Sequence, residues 1–310
     1  MIRRPRFLLL TALCLVALGA AEPTNKLRLL VIGNSFSGNA LQYFDEIVAA
    51  AGCTVEVKHL SIGGSPLQLH WTKAETALRD PQNIEAKYNQ DGSGGTLLEN
   101  LAKGPWDAVT IQQYSKIAHD PASYRPFADK LVALIRERAP QARICIQQTW
   151  AYRIDDPRFG SGPKNDLPSA EEMHHRVRAA YLGVAKDLRL DVIPSGQAFQ
   201  LAGTDATWGF KVDPLWSSKN AEFPNLPEQR HSLHVGWAWT KKDDKTTLGY
   251  DGHHANKTGE YLAGCVWFET LYRRTVVGNT FRPKEISAED AAFLQQIAQR
   301  VVAAEVAAKK

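Results

Sequence analysis

Two short motifs near opposite ends of the sequence carry residues suited to acyl-transfer chemistry. Ser35 closely follows a glycine at the end of an apolar run, and Asp251 precedes His254 by three residues. A carboxylate so placed can accept the imidazole N–H and fix its tautomer, which leaves the other ring nitrogen free to take a proton from a serine. Each motif alone has a simpler interpretation: Ser35 could cap a helix, and the adjacent histidines could be a metal pair or polar surface.

The residues around Ser35 predict a strand, a tight turn and a helix. Residues 29–32 form an apolar run that is typical of a strand buried on both faces of a parallel sheet. Residues 40–50 carry apolar side chains at a helical spacing. This order would place Ser35 at the carboxyl end of a strand and beside a helix N-terminus, where backbone N–H groups favour a developing negative charge.

The rest of the sequence alternates strands with helices and predicts one α/β domain. We expect strands at residues 54–60, 106–111, 143–148 and 190–193, and helices at residues 67–78, 96–102, 126–138, 169–188, 259–273 and 287–308. This alternation indicates a parallel sheet covered by helices on both faces. Residues 204–249 interrupt it with a Trp-rich stretch longer than the usual connection, which we expect to be a functional insertion or lid.

Two other strand ends carry residues that could stabilise an oxyanion. Gly63 and Gly64 follow the second strand, and adjacent glycines suit either a close approach of the backbone to a ligand or a plain turn. Gln112 and Gln113 follow the third strand. Amide side chains can donate hydrogen bonds without changing charge with pH, although two glutamines in a surface turn are equally ordinary.

Taken in order, these blocks resemble the SGNH, or GDSL-like, hydrolase superfamily. The blocks are the Gly-Asn-Ser-Phe opening, the Gly-Gly pair, a polar turn after the third strand, and the Asp-Gly-His-His sequence that ends at His254. The resemblance covers roughly residues 28–273 and is strongest to a bacterial branch with Gly-Asn-Ser-Phe and Asp-Gly-x-His blocks. It implies an α/β fold: a three-layer α/β/α sandwich with a parallel, flavodoxin-like five-stranded sheet. It also implies that residues 22–310 form a single domain.

The resemblance also implies a role for each motif residue. Ser35 would be the nucleophile, His254 the base and Asp251 the residue that orients the base. The backbone amides of Ser35 and Gly63 would supply two oxyanion donors, with Gly64 as the competitor for the second.

Two positions depart from the superfamily pattern. The aspartate that usually precedes the nucleophile is replaced by Asn34, at a position that proton transfer does not require. The usual Gly-x-Asn-Asp block is absent, and we expect Gln112 to supply the missing oxyanion donor, with Gln113 as the alternative. The altered block supports a second hypothesis, a glycan-binding protein that has lost efficient catalysis on the same scaffold.

Aromatic residues after the fourth strand and in the insertion suggest a class of substrate. The rings of Trp150, Tyr152 and Trp237 could stack on sugars, although packing is the ordinary role of each. We expect a serine esterase that cleaves an O-acyl ester, such as an acetyl ester, of a carbohydrate or another small ester substrate. Because the superfamily includes acyltransferases, an O-acyltransferase is an alternative.

Composition argues against several other classes. The chain has 310 residues, 44% of them hydrophobic and 23% charged, as in ordinary globular proteins. No basic patch points to nucleic acid. No His-Glu-x-x-His helix or cysteine pair accompanies the histidines, so we expect neither a metal nor another cofactor.

The N-terminus has the pattern of a secretory signal peptide over residues 1–21. Three arginines precede an apolar run at residues 7–18 and small residues up to Ala21. The run is shorter than the ~20 residues of a spanning helix, so we expect cleavage, no remaining membrane span, and a periplasmic or extracellular protein. The formal net charge of +4 then falls to +1. Three scattered cysteines remain, which favours buried thiols, with one disulfide as the alternative.

Overall fold

The computed structural model describes residues 25–162 and 167–309, and the predicted signal peptide lies outside them. The strands of the described residues are β1 (Lys26–Gly33), β2 (Thr54–Ser61), β3 (Lys87–Tyr88), β4 (Gly95–Thr96), β5 (Ala108–Ile111), β6 (Arg143–Gln147), β7 (Asp191–Ile193), β8 (His234–Lys242) and β9 (Lys245–Ala255). The α-helices are α1 (Ser35–Leu41), α2 (Phe44–Ala50), α3 (Leu67–Arg79), α4 (Leu97–Ala102), α5 (Phe127–Arg138), α6 (Ala170–Leu188), α7 (Ser195–Gly203), α8 (Lys257–Tyr272) and α9 (Ala288–Ala307). Short 3₁₀ helices cover Ile84–Ala86, Pro121–Tyr124 and Ser218–Asn220.

Five parallel strands form the central sheet in the order β2-β1-β5-β6-β7. Counted within the sheet, this is the flavodoxin-like order 2-1-3-4-5. Helices α3, α4, α5 and α6 contact one another in one layer, and α8 contacts α1, α2, α7 and α9 in the other. The predicted fold class, a three-layer α/β/α sandwich with a five-stranded parallel sheet, is confirmed.

The apolar run predicted as a strand is the buried centre of the sheet. Every side chain of residues 29–32 is 0% exposed, because β1 lies between β2 and β5 and helices cover both faces. Gly33 of β1 pairs with Ser61 of β2, so the two strands end at the same edge. This register brings the block that contains Ser35 next to the block that contains Gly63.

The structure differs from the predicted elements in the helix after β1. The sequence predicts a single helix over residues 40–50, whereas α1 begins at Ser35 and the helix breaks at Gln42 and Tyr43. The early start follows from Asn34, whose side-chain oxygen accepts the N–H of Phe36 and caps the helix. As a result, the serine lies in the first helical turn.

The Trp-rich stretch at residues 204–249 contains most of a hairpin that the sequence reading missed. Strands β8 and β9 pair antiparallel, with Lys242 opposite Lys245. Asp243 and Asp244 between them both have positive φ, 49° and 58°, as a two-residue type I′ turn requires. Because β9 runs through Ala255, it carries Asp251 and His254, which were expected in a loop.

Two further expectations concern cysteines and membranes. The three cysteines of the described residues, Cys53, Cys145 and Cys265, are buried free thiols, as favoured by their sequence context. Among the helices described, none has both the length and the apolar character needed to cross a bilayer.

Candidate active site

The serine lies where β1 ends and α1 begins. Asn34, not Ser35, is the N-cap, so the simpler interpretation of Ser35 as a helix cap does not hold. The turn leaves no room for a side chain at Gly33, where a Cβ would lie 2.4 Å from the hydroxyl oxygen of Ser37. The glycine therefore permits the sharp turn that presents Ser35.

A chain of hydrogen bonds joins the three residues singled out in the sequence. The Nε2 atom of His254 lies 2.9 Å from the hydroxyl oxygen of Ser35. Its Nδ1 atom lies 2.7 Å from Oδ2 of Asp251. Since a carboxylate only accepts hydrogen bonds, Nδ1 carries the proton, and Nε2 presents a lone pair to the serine hydroxyl. This geometry allows His254 to act as a general base towards Ser35.

Local backbone geometry holds Asp251 in place. Its Oδ1 atom accepts the backbone N–H groups of His253 and His254 at 3.1 and 3.0 Å. Burial alone raises the pKa of the Asp251 carboxyl, but hydrogen bonds from both imidazoles and both backbone N–H groups outweigh it and hold the pKa well below its usual range. The carboxylate is therefore ionised at neutral pH and can stabilise an imidazolium on His254.

The Gly-Gly pair forms a tight turn beside the serine. The N–H of Ser65 donates to the carbonyl of Ile62 at 3.1 Å, and Gly64 has φ +63° while Gly63 has no positive φ. These features define a type II turn with Gly63 and Gly64 in the central positions. Asn34 fixes the turn, because its Nδ2 donates to the carbonyl of Ser65 at 3.0 Å. Both glycines are exposed.

The structure gives both glutamines internal partners. The Nε2 of Gln112 donates to Oδ1 of Asn34 at 2.5 Å and to the carbonyl of Gln113 at 3.4 Å. Gln113 accepts the N–H groups of Leu67 and Tyr114 and donates to the carbonyl of Ser123. Both side chains are buried. The described hydrogen bonds of Gln112 therefore lead to Asn34 and Gln113, and its direct donation to an oxyanion stays a prediction.

The predicted substrate-binding residues fall in three different environments. Trp150 is 0% exposed and is stacked between the rings of Phe36 and Phe199, with centroids 4.5 and 4.3 Å away. This burial corrects the expectation that Trp150 stacks on a sugar. Tyr152 is also buried, at 7% exposed, and its ring lies 5.8 Å from that of His253, so its predicted contact with a sugar stays a prediction.

Trp237 lies on β8, opposite Tyr250 of β9. Its ring packs against Trp216 and Tyr250, with centroids 5.0 and 4.8 Å away. It is partly exposed, and the contacts described for it do not include the Ser35 hydroxyl or the His254 ring. Its predicted contact with substrate stays a prediction.

His253 is the residue of the site that the sequence reading gave no role. Its Nδ1 lies 2.8 Å from Oδ1 of Asp251, so one carboxylate serves two imidazoles. The signal available in the sequence was the pair of adjacent histidines, two and three residues after Asp251.

The same three side chains could be considered for a metal ion. Asp251, His253 and His254 each offer a ligand atom, and these atoms lie within 4.8 Å of one another. Both imidazoles, however, direct Nδ1 to the carboxylate at hydrogen-bond distance, and the far nitrogen of His254 contacts the serine. As the structure describes them, these ligand atoms are taken up by hydrogen bonds within the cluster and to Ser35.

The fold and this geometry define a three-layer α/β/α protein with a Ser–His–Asp hydrogen-bonded triad at the carboxyl edge of its parallel sheet. The chain belongs to the family described as "Domain of unknown function (DUF4886)", whose model matches residues 28–213 and 230–301. The crystal structure of a DUF4886 family protein from Bacteroides uniformis is similar, with 26% sequence identity and a TM-score of 0.67 over 90% of this chain and 95% of that chain.

Other structural neighbours are hydrolases by description. A protein from Slackia heliotrinireducens assigned to the SGNH hydrolases has 21% identity and a TM-score of 0.45, covering 79% of this chain and 99% of that chain. A lipase/acylhydrolase from Enterococcus faecalis has 15% identity and a TM-score of 0.43, covering 84% of this chain and 99% of that chain. No curated protein matches the sequence.

Proposed function

We propose that this protein is a serine hydrolase that cleaves an ester through an acyl-serine intermediate. The observation that carries the proposal is the 2.9 Å contact between the Ser35 hydroxyl and a ring nitrogen of His254, whose other nitrogen bonds Asp251. A serine hydroxyl becomes a nucleophile at neutral pH when an imidazole can take its proton and a carboxylate orients that imidazole.

The residues support a complete sequence of proton transfers. As the Ser35 oxygen attacks the ester carbonyl carbon, Nε2 of His254 takes the hydroxyl proton, and Asp251 stabilises the resulting imidazolium. The backbone N–H groups of Ser35 and Gly63 stabilise the oxyanion. Nε2 then returns the proton to the departing alkoxide, which leaves an acyl-serine. Water attacks this ester with His254 again as base, releasing the acid and restoring the serine.

The accessibility of the triad supports a bulky substrate. The side chains of His254 and Asp251 are 33% and 31% exposed, so the reacting groups lie in an open site. An open site can receive an ester attached to a polymer, whereas small ligands usually bind in enclosed pockets. With the partly exposed ring of Trp237 on the same hairpin as Asp251, we propose an O-acyl ester of a carbohydrate, of which an acetyl ester is the simplest case. Export to the periplasm or the medium is part of the same proposal.

Acyl transfer is a second candidate, because the acyl-serine would be the same. A sugar hydroxyl, instead of water, would then take the acyl group from Ser35. Analysis of products with and without an added sugar acceptor distinguishes the two reactions, since transfer yields a new acylated sugar while hydrolysis yields only free acid.

Hydrolysis of p-nitrophenyl acetate and of acetylated xylan oligosaccharides tests the proposal. We expect S35A and H254A to lose nearly all activity towards both substrates. A matched control is S195A, which removes a buried serine hydroxyl that has no hydrogen-bond partner, and it should keep wild-type rates. Activity that survives the S35A substitution would refute the role of Ser35 as nucleophile. No activity with either ester would favour the glycan-binding alternative.

A further inference from the structure

His253 is a second imidazole on the carboxylate that orients the base. Its Nδ1 is 2.8 Å from Oδ1 of Asp251, while the Nδ1 of His254 is 2.7 Å from Oδ2. The two rings lie against each other, with centroids 4.0 Å apart and planes at 41°. The mechanism proposed above uses only one of these rings, which leaves the other without a function.

The carboxylate determines the proton position on both rings. Asp251 is ionised and can only accept, so His253 carries its proton on Nδ1, as His254 does. A carboxylate also needs a partner on each oxygen to fix its plane, because the last torsion of an aspartate is broad and nearly two-fold. Backbone N–H groups of residues 253 and 254 reach Oδ1, and the imidazole of His253 is its side-chain donor.

Neighbouring elements keep the ring of His253 in place. The ring of Tyr152, from the loop after β6, meets it edge-on with centroids 5.8 Å apart and planes at 69°. Arg158 lies over the other side of Tyr152, and its charge is paired with Asp156. The backbone carbonyl of His253 accepts the indole N–H of Trp150. The imidazole is thus held by packing, a hydrogen bond and its own main chain.

We propose that His253 is a positioning residue that holds the second oxygen of Asp251, so that the first oxygen stays in line with Nδ1 of His254. The proposal rests on the function proposed above, and it assigns the effect to the N–H of the ring and not to its bulk. Loss of this hydrogen bond would leave Oδ1 with only its two backbone donors, so the carboxylate would be held less tightly and His254 would be less well oriented for proton transfer from Ser35.

Two substitutions separate the hydrogen bond from the packing. H253N keeps an N–H donor near the position of Nδ1 but removes the ring, whereas H253F keeps a ring and removes the donor. We expect H253F to lower kcat on the order of 10- to 100-fold with little change in KM, and H253N to stay within about threefold of the wild type, a change of less than about 1 kcal/mol. Equal losses in both variants, or wild-type kcat in H253F, would overturn the proposal.

A measurement on the unmodified protein tests the same idea without relying on activity or on variants. Nitrogen-15 NMR of the imidazoles at neutral pH reports which ring nitrogen is protonated. We expect His253 and His254 both to be protonated on Nδ1, with both protons protected from exchange. A His253 ring that is protonated only on Nε2, with no proton on Nδ1, would refute the proposal. If the protein hydrolyses no ester but His253 has the expected tautomer, the proposed function fails while the shared carboxylate stands.

Discussion

The indole N–H of Trp150 donates a hydrogen bond to the backbone carbonyl of His253, with 2.9 Å between nitrogen and oxygen. A fully buried ring of the core thereby fixes the main chain between Asp251 and His254. Phe36, the residue after the serine, stacks on the same indole ring. Trp150 therefore connects the nucleophile block with the histidine block, although it does not contact the reacting atoms.

The first prediction concerns this bond. W150F keeps an aromatic ring but leaves a carbonyl without its donor, which should lower the free energy of unfolding by about 1–3 kcal/mol and reduce kcat. A matched control is W267F, since Trp267 is also fully buried but its indole N–H has no partner. Urea unfolding measures the stability of both variants, and esterase assays measure kcat. We expect kcat to fall only in W150F. A similar loss in both would mean that ring volume, not the hydrogen bond, matters.

A second prediction tests the oxyanion donor of the Gly-Gly turn. Proline suits the first central position of a type II turn, and a Cβ at Gly63 would have nothing within 4 Å. G63P therefore keeps the turn and removes the backbone N–H. We expect kcat to fall on the order of 100-fold while the midpoint of thermal unfolding changes little. A stable variant with wild-type kcat would exclude the N–H of Gly63 and leave Gly64 as the donor.

A third prediction distinguishes two roles for Gln112. If it only positions Asn34, Q112L should cost about one hydrogen bond, or about 1 kcal/mol and about fivefold in kcat. If instead it donates directly to the oxyanion, the loss should be on the order of 100-fold. Steady-state kinetics of Q112L decide between the two, and the buried contact with Asn34 predicts the smaller value.

A fourth prediction concerns acid stability. Burial lowers the pKa of His70 and His234 to about 4, compared with 6.5 for an ordinary histidine. Between these values the unfolded chain binds protons that the folded chain does not, so the free energy of unfolding should decrease as the pH falls from about 6.5 to about 4. The slope should reach roughly 1.4 kcal/mol per pH unit for each histidine.

Urea unfolding between pH 7 and pH 4.5 measures this slope. H70N should make it shallower, because one proton-binding group is removed from the unfolded chain. The exposed His175 provides the control, and H175N should keep the wild-type slope. Stability that is independent of pH over this range would contradict the assignment of buried neutral histidines.

Much of the fold could be predicted from residue patterns. The buried run at residues 29–32 and the alternation of strands and helices predict the parallel sheet, because strands covered on both faces need continuous apolar sequence. The β8–β9 hairpin was missed because its aromatic strands are partly exposed and its turn is formed by two aspartates. Local composition suggested an irregular insertion, and only the pairing of β8 with β9 across the turn reveals the strands.

The candidate site was predictable to a lesser extent. Each motif alone had a simpler interpretation, and only the order of the blocks, through their resemblance to the SGNH hydrolases, pointed to Ser35, Asp251 and His254. The partners of Gln112 and the burial of Trp150 depend on residues far apart in sequence, such as Asn34 and Phe199. No local sequence pattern indicates such long-range contacts. The sequence therefore could not distinguish a side chain that supports the site from one that contacts the substrate.

The most direct test of the central claim is covalent labelling with a serine-directed fluorophosphonate, followed by mass spectrometry of the intact protein and of its peptides. We expect one phosphonyl group per chain, located on Ser35, with labelling abolished in S35A and strongly slowed in H254A. S195A should label like the wild type. Absence of an adduct on the folded protein, or an adduct on another residue that persists in S35A, would contradict Ser35 as an activated nucleophile.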